Sequence, residues 1–465
     1  MLSLRHAAIM GAVVLGAAVF PNRGHAQQGA PDWRERQIAA ANKAEDIMQV
    51  ASKRKGVLAQ YMVMRDTYLA DKDPAFRVIF GQYLSWYQTF VGDYPASAKS
   101  FSISESLQKG DNTSPLTDHD FTAQDALDAI PRLAEKRQIV LFNEAHNIPL
   151  TRTLMVQLLS RLRQQGFTYF AAETLYQSDA KLQERGYPVN DSGFYTEEPI
   201  CAEMVRTALK LGFKVIAYEA LSDATGDARE TEQARNINNE VFKKDPDARL
   251  IVDAGYSHVQ KSGMYLGGSS MAVHLKKLTG IDPLVVEQTM LIPHGSNGSD
   301  HPYYTEAIQS LQPKQPIVFV TAAGKPWALR AGYDVNVFFP PEQFHQGRPT
   351  WLTLGGLRRP HTVTGEICEH QFPCLIEARY ASESDDAIPA DRIVLDAVVQ
   401  NITPDPRVTV NHNVTVEELY LRPGNYVLTS RGTDNHLLNR LAIKIADDAP
   451  TTPVTAAPLA PPPKS

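Results

Sequence analysis

Residues 139–175 read IVLFNEAHNIPLTRTLMVQLLSRLRQQGFTYFAAETL, and this stretch decides the fold. An apolar, β-prone run at 138–142 stops at the polar sequence Asn143-Glu144-Ala145-His146. An amphipathic stretch, 149–165, follows, with Asn147 placed to cap it and Pro149 in its first turn. Gly166 stands where that helix should stop, and a second apolar run, 168–172, ends in Glu173. A strand, a helix and a strand with short connections predict two parallel strands joined by a crossover helix.

Outward from this unit the alternation continues. Further strands are expected at 214–218, 249–254, 283–288 and 316–321, with helical stretches at 200–211, 227–243 and 269–279 and a stop at Gly212. The fold class is therefore α/β, a central and largely parallel sheet with flanking helices. Before it, residues 32–92 carry helical periodicity, and the aromatic stripe Phe76, Phe80, Tyr83, Leu84, Trp86, Tyr87 and Phe90 is the kind that packs a core. Residues 95–120 are rich in Ser, Asp and Thr and read as a linker. After it, helical periodicity fades and short strands are expected at 351–354, 375–380, 392–399, 408–410 and 426–430, with Arg422-Pro423-Gly424-Asn425 as a turn. They read as an appended β module or as a β extension of the main domain.

Both ends of the chain read as lying outside the fold. Arg5, the apolar run 7–20 and Gly24-His25-Ala26 have the pattern of a secretory signal peptide with its cleavage site. The organisation expected is a signal peptide at 1–26, a helical extension and linker at 27–120, an α/β core at 121–330, a β-rich module at 331–446 and an unpacked Pro/Ala-rich tail at 447–465. A periplasmic or secreted location follows, with no stable membrane span once the leader is removed. The chain has 465 residues with 43% hydrophobic and 21% charged, which is ordinary globular composition. Its net charge of −6 falls to −8 when Arg5 and Arg23 leave with the leader, and an acidic chain is not the footprint of a nucleic-acid binder. Three cysteines are too few for a disulfide scaffold. In an oxidising space Cys368 and Cys374 can pair across a tight loop and leave Cys201 free; the alternative is three small buried side chains.

In an open α/β sheet, ligands bind beyond the carboxyl ends of the strands. Those ends carry Glu144 and His146, then Glu173, then Glu219, then Asp253-Ala254-Gly255-Tyr256-Ser257-His258. If the strands are parallel and adjacent, these groups gather on one rim. Glu144 and His146 stand at i, i+2, on one side of an extended segment, where a carboxylate can orient an imidazole as a general base. With Glu173 and His258 they make two carboxylates and two imidazoles, a set able to activate water or, if metal-dependent, to bind a divalent metal. Glu219 reads as supporting or structural, Asp253 as part of its strand. Arg229, beside Glu230 and Glu232, reads either as a surface ion pair or as a clamp for an anion or carbonyl. There is no HExxH, P-loop or GxGxxG, and Gly255-Tyr256-Ser257-His258-Val259 misses the last glycine of a nucleophile elbow, which argues against Ser257 as nucleophile.

These blocks resemble a superfamily that includes the erythromycin esterase-like enzymes, the ChaN-like haem-binding proteins and the TraB/Tiki-type proteins. The resemblance is carried by residues 139–175, by RETEQARNI at 229–237, and by DAGYSHVQKSGMYLGGSSMAVHLKKLTG at 253–280, roughly a third of the chain. It implies active-site positions at Glu144, His146, Glu173 and His258, with Arg229 a looser match. Asn143 stands where that family usually has glycine. The branches imply metal-independent ester hydrolysis, metal-dependent peptide cleavage or haem binding.

The reading that leads is a secreted or periplasmic hydrolase of an ester or amide, acting on a small molecule or peptide. His146 is its base, Glu144 orients His146, Glu173 shares proton traffic or holds the water, and His258 with Arg229 stabilises the oxyanion. The alternatives are a non-covalent haem- or metal-binding protein, with Tyr256, Tyr218 and His258 as axial candidates, and a non-catalytic surface-binding protein.

Overall fold

The computed structural model describes residues 33–295, 297–395 and 416–447. The leader at 1–26, the strand expected at 408–410 and all of the tail after Asp447 lie outside the described residues.

The chain begins with α1 (Trp33–Ser52), α2 (Val57–Ala70), α3 (Pro74–Phe90) and α4 (Tyr94–Ser100). α3 starts cleanly: the Asp73 carboxylate accepts from the Ala75 N–H at 2.8 Å, and Pro74 fills the first turn. From Ile79 to Phe90 every residue of α3 is buried, so the aromatic stripe is core. The expected linker is helical in its first six residues, which belong to α4.

β1 (Phe121–Asp125) and α5 (Ala126–Ala134) lead into β2 (Ile139–Glu144), and α6 (Leu150–Gln164) crosses to β3 (Tyr169–Ala172). A short α7 (Leu182–Arg185) and α8 (Pro199–Lys210) precede β4 (Lys214–Ala217). α9 (Gly226–Ile237) precedes β5 (Leu250–Gly255), α10 (Met271–Thr279) precedes β6 (Leu284–Glu287), and α11 (Pro302–Leu311) precedes β7 (Ile317–Thr321) and β8 (Val335–Asn336). Six strands form one sheet in the order β4-β3-β5-β2-β6-β8, each neighbour parallel. β2, β3, β5 and β6 are buried along their whole length, as a sheet covered on both faces requires. Alternate residues serve opposite faces. Val140, Phe142, Phe170 and Ile251 pack with Leu154, Leu158, Met204 and Phe80, whereas Leu141, Ala171 and Val252 pack with Ile237, Leu275 and Ala307.

The structure corrects three details. β7, expected in the main sheet, pairs antiparallel with β1 instead, and β8 takes the edge position. Residues 351–354, expected as a strand, lie in a 3-10 turn, Thr350–Thr353, and the chain then turns left-handed at Leu354. Asn147 does not cap α6: its amide donates to the Phe101 carbonyl at 2.9 Å, and Pro149 occupies the cap. Gly166 and Gly212 both take positive φ at helix ends, as expected.

After β9 (Phe344–His345) and β10 (Arg348–Pro349) the chain is rich in antiparallel strands. β11 (Arg359–Thr364) pairs with β14 (Val416–Leu421). β12 (Cys374–Tyr380), β13 (Asp391–Leu395), β15 (Gly424–Arg431) and β16 (Leu437–Ile445) form a four-stranded sheet. Ion pairs made by three buried arginines join this region to the α/β part: Arg206 with Glu383 at 2.6 Å, Arg358 with Glu203 at 3.1 Å, and Arg392 with Glu197 at 2.7 Å. Cys368 and Cys374 form a disulfide, and Cys201 is a buried thiol. No helix among the described residues is long and apolar enough to cross a membrane.

Candidate active site

β2 and β5 are adjacent at the middle of the sheet, and their register sets Glu144 beside Gly255. β3 flanks β5 with Ala172 beside Asp253, and the Glu173 N–H extends the ladder to the Asp253 carbonyl at 3.0 Å. The carboxyl ends of three neighbouring strands thus converge, and the groups expected on one rim do meet there.

The first half of the site is a buried relay. His146 Nδ1 lies 2.8 Å from Glu144 Oε1. Arg152, one turn into α6, grips the same carboxylate with Nε and Nη2, the latter at 2.6 Å from Oε1. Its Nη1 reaches Glu198 Oε2 at 3.3 Å, and Glu198 also accepts the Ile200 and Cys201 N–H groups at the start of α8. Burial pushes the Glu144 carboxyl up, but Arg152 and His146 outweigh it and hold the group well below the usual carboxylate range. An ionised Glu144 at Nδ1 selects the tautomer with Nδ1–H and leaves the Nε2 lone pair of His146 for a substrate or water. The ring is fixed from two more sides: Tyr195 stacks on it at 4.0 Å and 12°, and Tyr256 meets it edge-on at 5.3 Å. Behind Tyr195 stands Trp86 of α3, its ring 5.7 Å away.

The second half centres on Glu173. Its Oε2 accepts the Gly255 N–H at 2.6 Å, and its Oε1 accepts Arg229 Nη2 at 2.8 Å and faces His258 Nε2 at 3.3 Å. His258 Nδ1 lies 2.8 Å from Glu230 Oε2. Burial again opposes charge, yet His258, Arg229 and His146 hold the Glu173 carboxyl at about 2. Glu173 is therefore anionic at neutral pH, able to accept a hydrogen bond from water but not to shuttle protons. Burial disfavours the His258 cation, but the Glu173 and Glu230 carboxylates outweigh it and raise its pKa above the ordinary value. Arg229 is not the free clamp expected. It is buried and committed to Glu173 and to Glu219, which it holds with Nε at 3.0 Å and with Nη2. Glu219 thus stands behind Glu173, joined to it through Arg229.

Gly255 joins the halves. A Cβ there would fall 2.4 Å from both Cε1 and Nε2 of His146 and 3.3 Å from Glu173 Oε2, so only glycine lets the ring and the carboxylate approach the same backbone. The next residue, Tyr256, adopts φ 44° and turns the chain sharply into the 3-10 turn Tyr256–Val259 that carries His258. Asn143 secures this turn. It lies within β2, its Nδ2 donates to the Tyr256 carbonyl at 3.0 Å and to Glu287 Oε1 at 3.1 Å, and its Oδ1 accepts the Gln288 N–H at 2.6 Å. The asparagine is a cross-link among β2, β6 and the Tyr256 turn. Asp253 lies in its strand as expected; burial and the neighbouring Glu144 push its carboxyl well above the usual range, and its Oδ1 has no partner among the described residues. Ser257 pairs with the Tyr333 hydroxyl at 3.2 Å, not with either imidazole.

Glu144, His146, Glu173 and His258 do not form the conditional metal set. Among the described residues no group of three or more His, Cys, Asp or Glu side chains is placed to hold a metal ion. The carboxylate oxygens face arginines and imidazoles instead. The axial haem candidates fit no better: Tyr218 is buried and donates to the Asp253 carbonyl at 3.0 Å, both His258 nitrogens are engaged, and Tyr256 lies against His146.

Sequence reasoning missed Arg152, Glu198, Glu230 as the partner of His258, and Tyr195. The one signal for Arg152 was its place among Leu150, Leu154 and Met155, where a helix turns an apolar side inward.

No protein-family model matches the chain, and comparison with curated proteins gives no match. Distant likenesses to solved structures are found. The type III effector HopBA1 is 13% identical with a TM-score of 0.27, over 38% of this chain and 91% of that one. A structure described as that of bacterial protein toxins is 12% identical with a TM-score of 0.28, over 60% and 70%. RRSP, a MARTX toxin effector domain from Vibrio vulnificus CMCP6, is 14% identical with a TM-score of 0.26, over 61% and 68%.

Proposed function

We propose that this protein hydrolyses an ester or amide bond, with His146 as general base. The observation that carries the reading is the relay Arg152–Glu144–His146, which fixes the imidazole with Nδ1 engaged and Nε2 turned toward Gly255 beside Glu173. A water between Nε2 and the Glu173 carboxylate gives its proton to His146 as its oxygen attacks the carbonyl carbon. Glu144, held in place by Arg152, stabilises the imidazolium that forms, which then protonates the leaving group. The reading agrees with the hydrolase branches of the resemblance carried by residues 139–175, 229–237 and 253–280. The signal-like leader and the Cys368–Cys374 disulfide support an extracytoplasmic place of work.

The test is hydrolysis of p-nitrophenyl acetate, p-nitrophenyl butyrate and a short anilide by wild type and His146→Ala. The expected outcome is a loss of at least about 10³-fold in kcat/KM, of the order that positioned acid–base catalysis contributes. The far-UV circular dichroism of the variant should match wild type. Activity within tenfold of wild type in a folded His146→Ala protein overturns the mechanism.

A further inference from the structure

Beyond the 3-10 turn of His258, the chain makes an excursion from Gln260 to Ser269. Tyr265 and Gly268 exchange both backbone hydrogen bonds at 2.9 Å, and the corner residues Leu266 and Gly267 take φ 48° and 81°. Two positive φ values in a two-residue corner make a tight primed hairpin turn, an unusual place for leucine. The surroundings hold it there. Gly268 packs so closely on α9 that a Cβ would lie 2.4 Å from the Asp227 side chain, and the Ser269 N–H donates to Asp227 at 2.7 Å. At the other end the Lys261 N–H donates to the Gly332 carbonyl at 2.8 Å.

This hairpin sets the Tyr265 ring edge-on against His258, centroids 5.0 Å apart at 75°. The Tyr265 hydroxyl is buried and has no hydrogen-bond partner among the described residues. Buried hydroxyls are ordinarily paired, so an unpaired one beside a candidate catalytic imidazole asks for an acceptor that arrives from outside. The other nominated donors are committed: Arg229 to Glu173 and Glu219, and His258 to Glu230 and Glu173.

We infer that the Tyr265 hydroxyl is the oxyanion donor of this site, hydrogen-bonding the carbonyl oxygen of a bound ester or amide. The inference rests on the hydrolase reading above. When the water oxygen bonds to the carbonyl carbon, the C=O π pair moves onto oxygen and the water proton moves to His146 Nε2. The Tyr265 O–H donates to that oxyanion and keeps its own proton. Collapse re-forms C=O, breaks the bond to the leaving group and returns the His146 proton to it. Burial, with the Glu230 and Glu173 carboxylates nearby, raises the phenol well above its ordinary pKa and keeps it a donor. Ser262, Gly263 and Met264, just before Tyr265 in the chain, are exposed, Met264 at 80%.

Tyr265→Phe removes the hydroxyl and keeps the ring on His258. With the same p-nitrophenyl esters, kcat should fall about 10²-fold, as for the loss of one oxyanion donor, with KM within threefold. Affinity for an alkyl phosphonate transition-state mimic should fall by a similar factor, while the melting temperature stays or rises. Both kcat and phosphonate affinity within twofold of wild type, with His146→Ala inactive, overturn this inference alone. No esterase activity in wild type, or full activity in His146→Ala, overturns the hydrolase reading and this inference with it.

Discussion

Replacing Arg152 by methionine tests the foundation of the site. Arg152 is fully buried, and its partners Glu144 and Glu198 are nearly so. Methionine fills much of the space but leaves two carboxylates facing no guanidinium. Removing one partner of a buried ion pair costs about 3–5 kcal/mol, and the upper half of that range is expected because two acids are stranded. The pH dependence gives a sharper signature. In wild type the Glu144 pKa lies below its ordinary value of 4.5. The stabilisation it brings is present above that ordinary value and is lost as pH falls through the folded-state pKa. Without Arg152 the folded-state pKa climbs and most of that contribution disappears. The stability gap between wild type and variant should therefore be widest at pH 7 and narrow below about pH 4.5. Urea titrations at pH 7 and pH 4, compared by midpoint at matched slope, measure it. A loss under about 1 kcal/mol at pH 7, or a wider gap at pH 4 than at pH 7, would refute the claim that Arg152 holds Glu144 ionised.

Three further outcomes follow from packing. Gly255→Ala should lower kcat/KM about 10²-fold at unchanged circular dichroism, because its Cβ displaces the His146 ring; activity within threefold of wild type would contradict the steric argument. Trp86→Leu opens space behind Tyr195 and should cost about 2–4 kcal/mol by denaturant midpoint, with kcat reduced even where the protein is fully folded. Replacing Cys368 and Cys374 by serine should cost about 2 kcal/mol, as befits a short closed loop, and leave hydrolysis unchanged.

The parts of this protein legible in its sequence are those set by local pattern. Apolar runs ending in acids or imidazoles located β2, β3, β4 and β5, and the i, i+2 spacing of Glu144 and His146 placed both on one side. What stayed hidden are relations across long chain distances. Nothing local in 316–321 distinguishes a central strand from one that pairs with Phe121–Asp125, because both are short and apolar. Arg152 resembles Arg161 and Arg163 of the same helix until β2 and α8 close over it. Glu230 looks like a solvated neighbour of Arg229, and only the turn at Tyr256 brings His258 onto it. Tyr265 carried no signal, since its importance lies in the partner it lacks.

The ring contacts from Trp86 through Tyr195 to His146 have a consequence for how the protein fails when heated. α3 belongs to the N-terminal helices, not to the sheet, and proteins open in cooperative units of unequal stability. If the helices loosen before the sheet, Tyr195 loses its backing and His146 its stacking partner while the strand ends stay in register. Inactivation would then precede melting, and the working ceiling of the protein would be set by the grip of helices α1 to α4, not by the domain that carries the reacting groups.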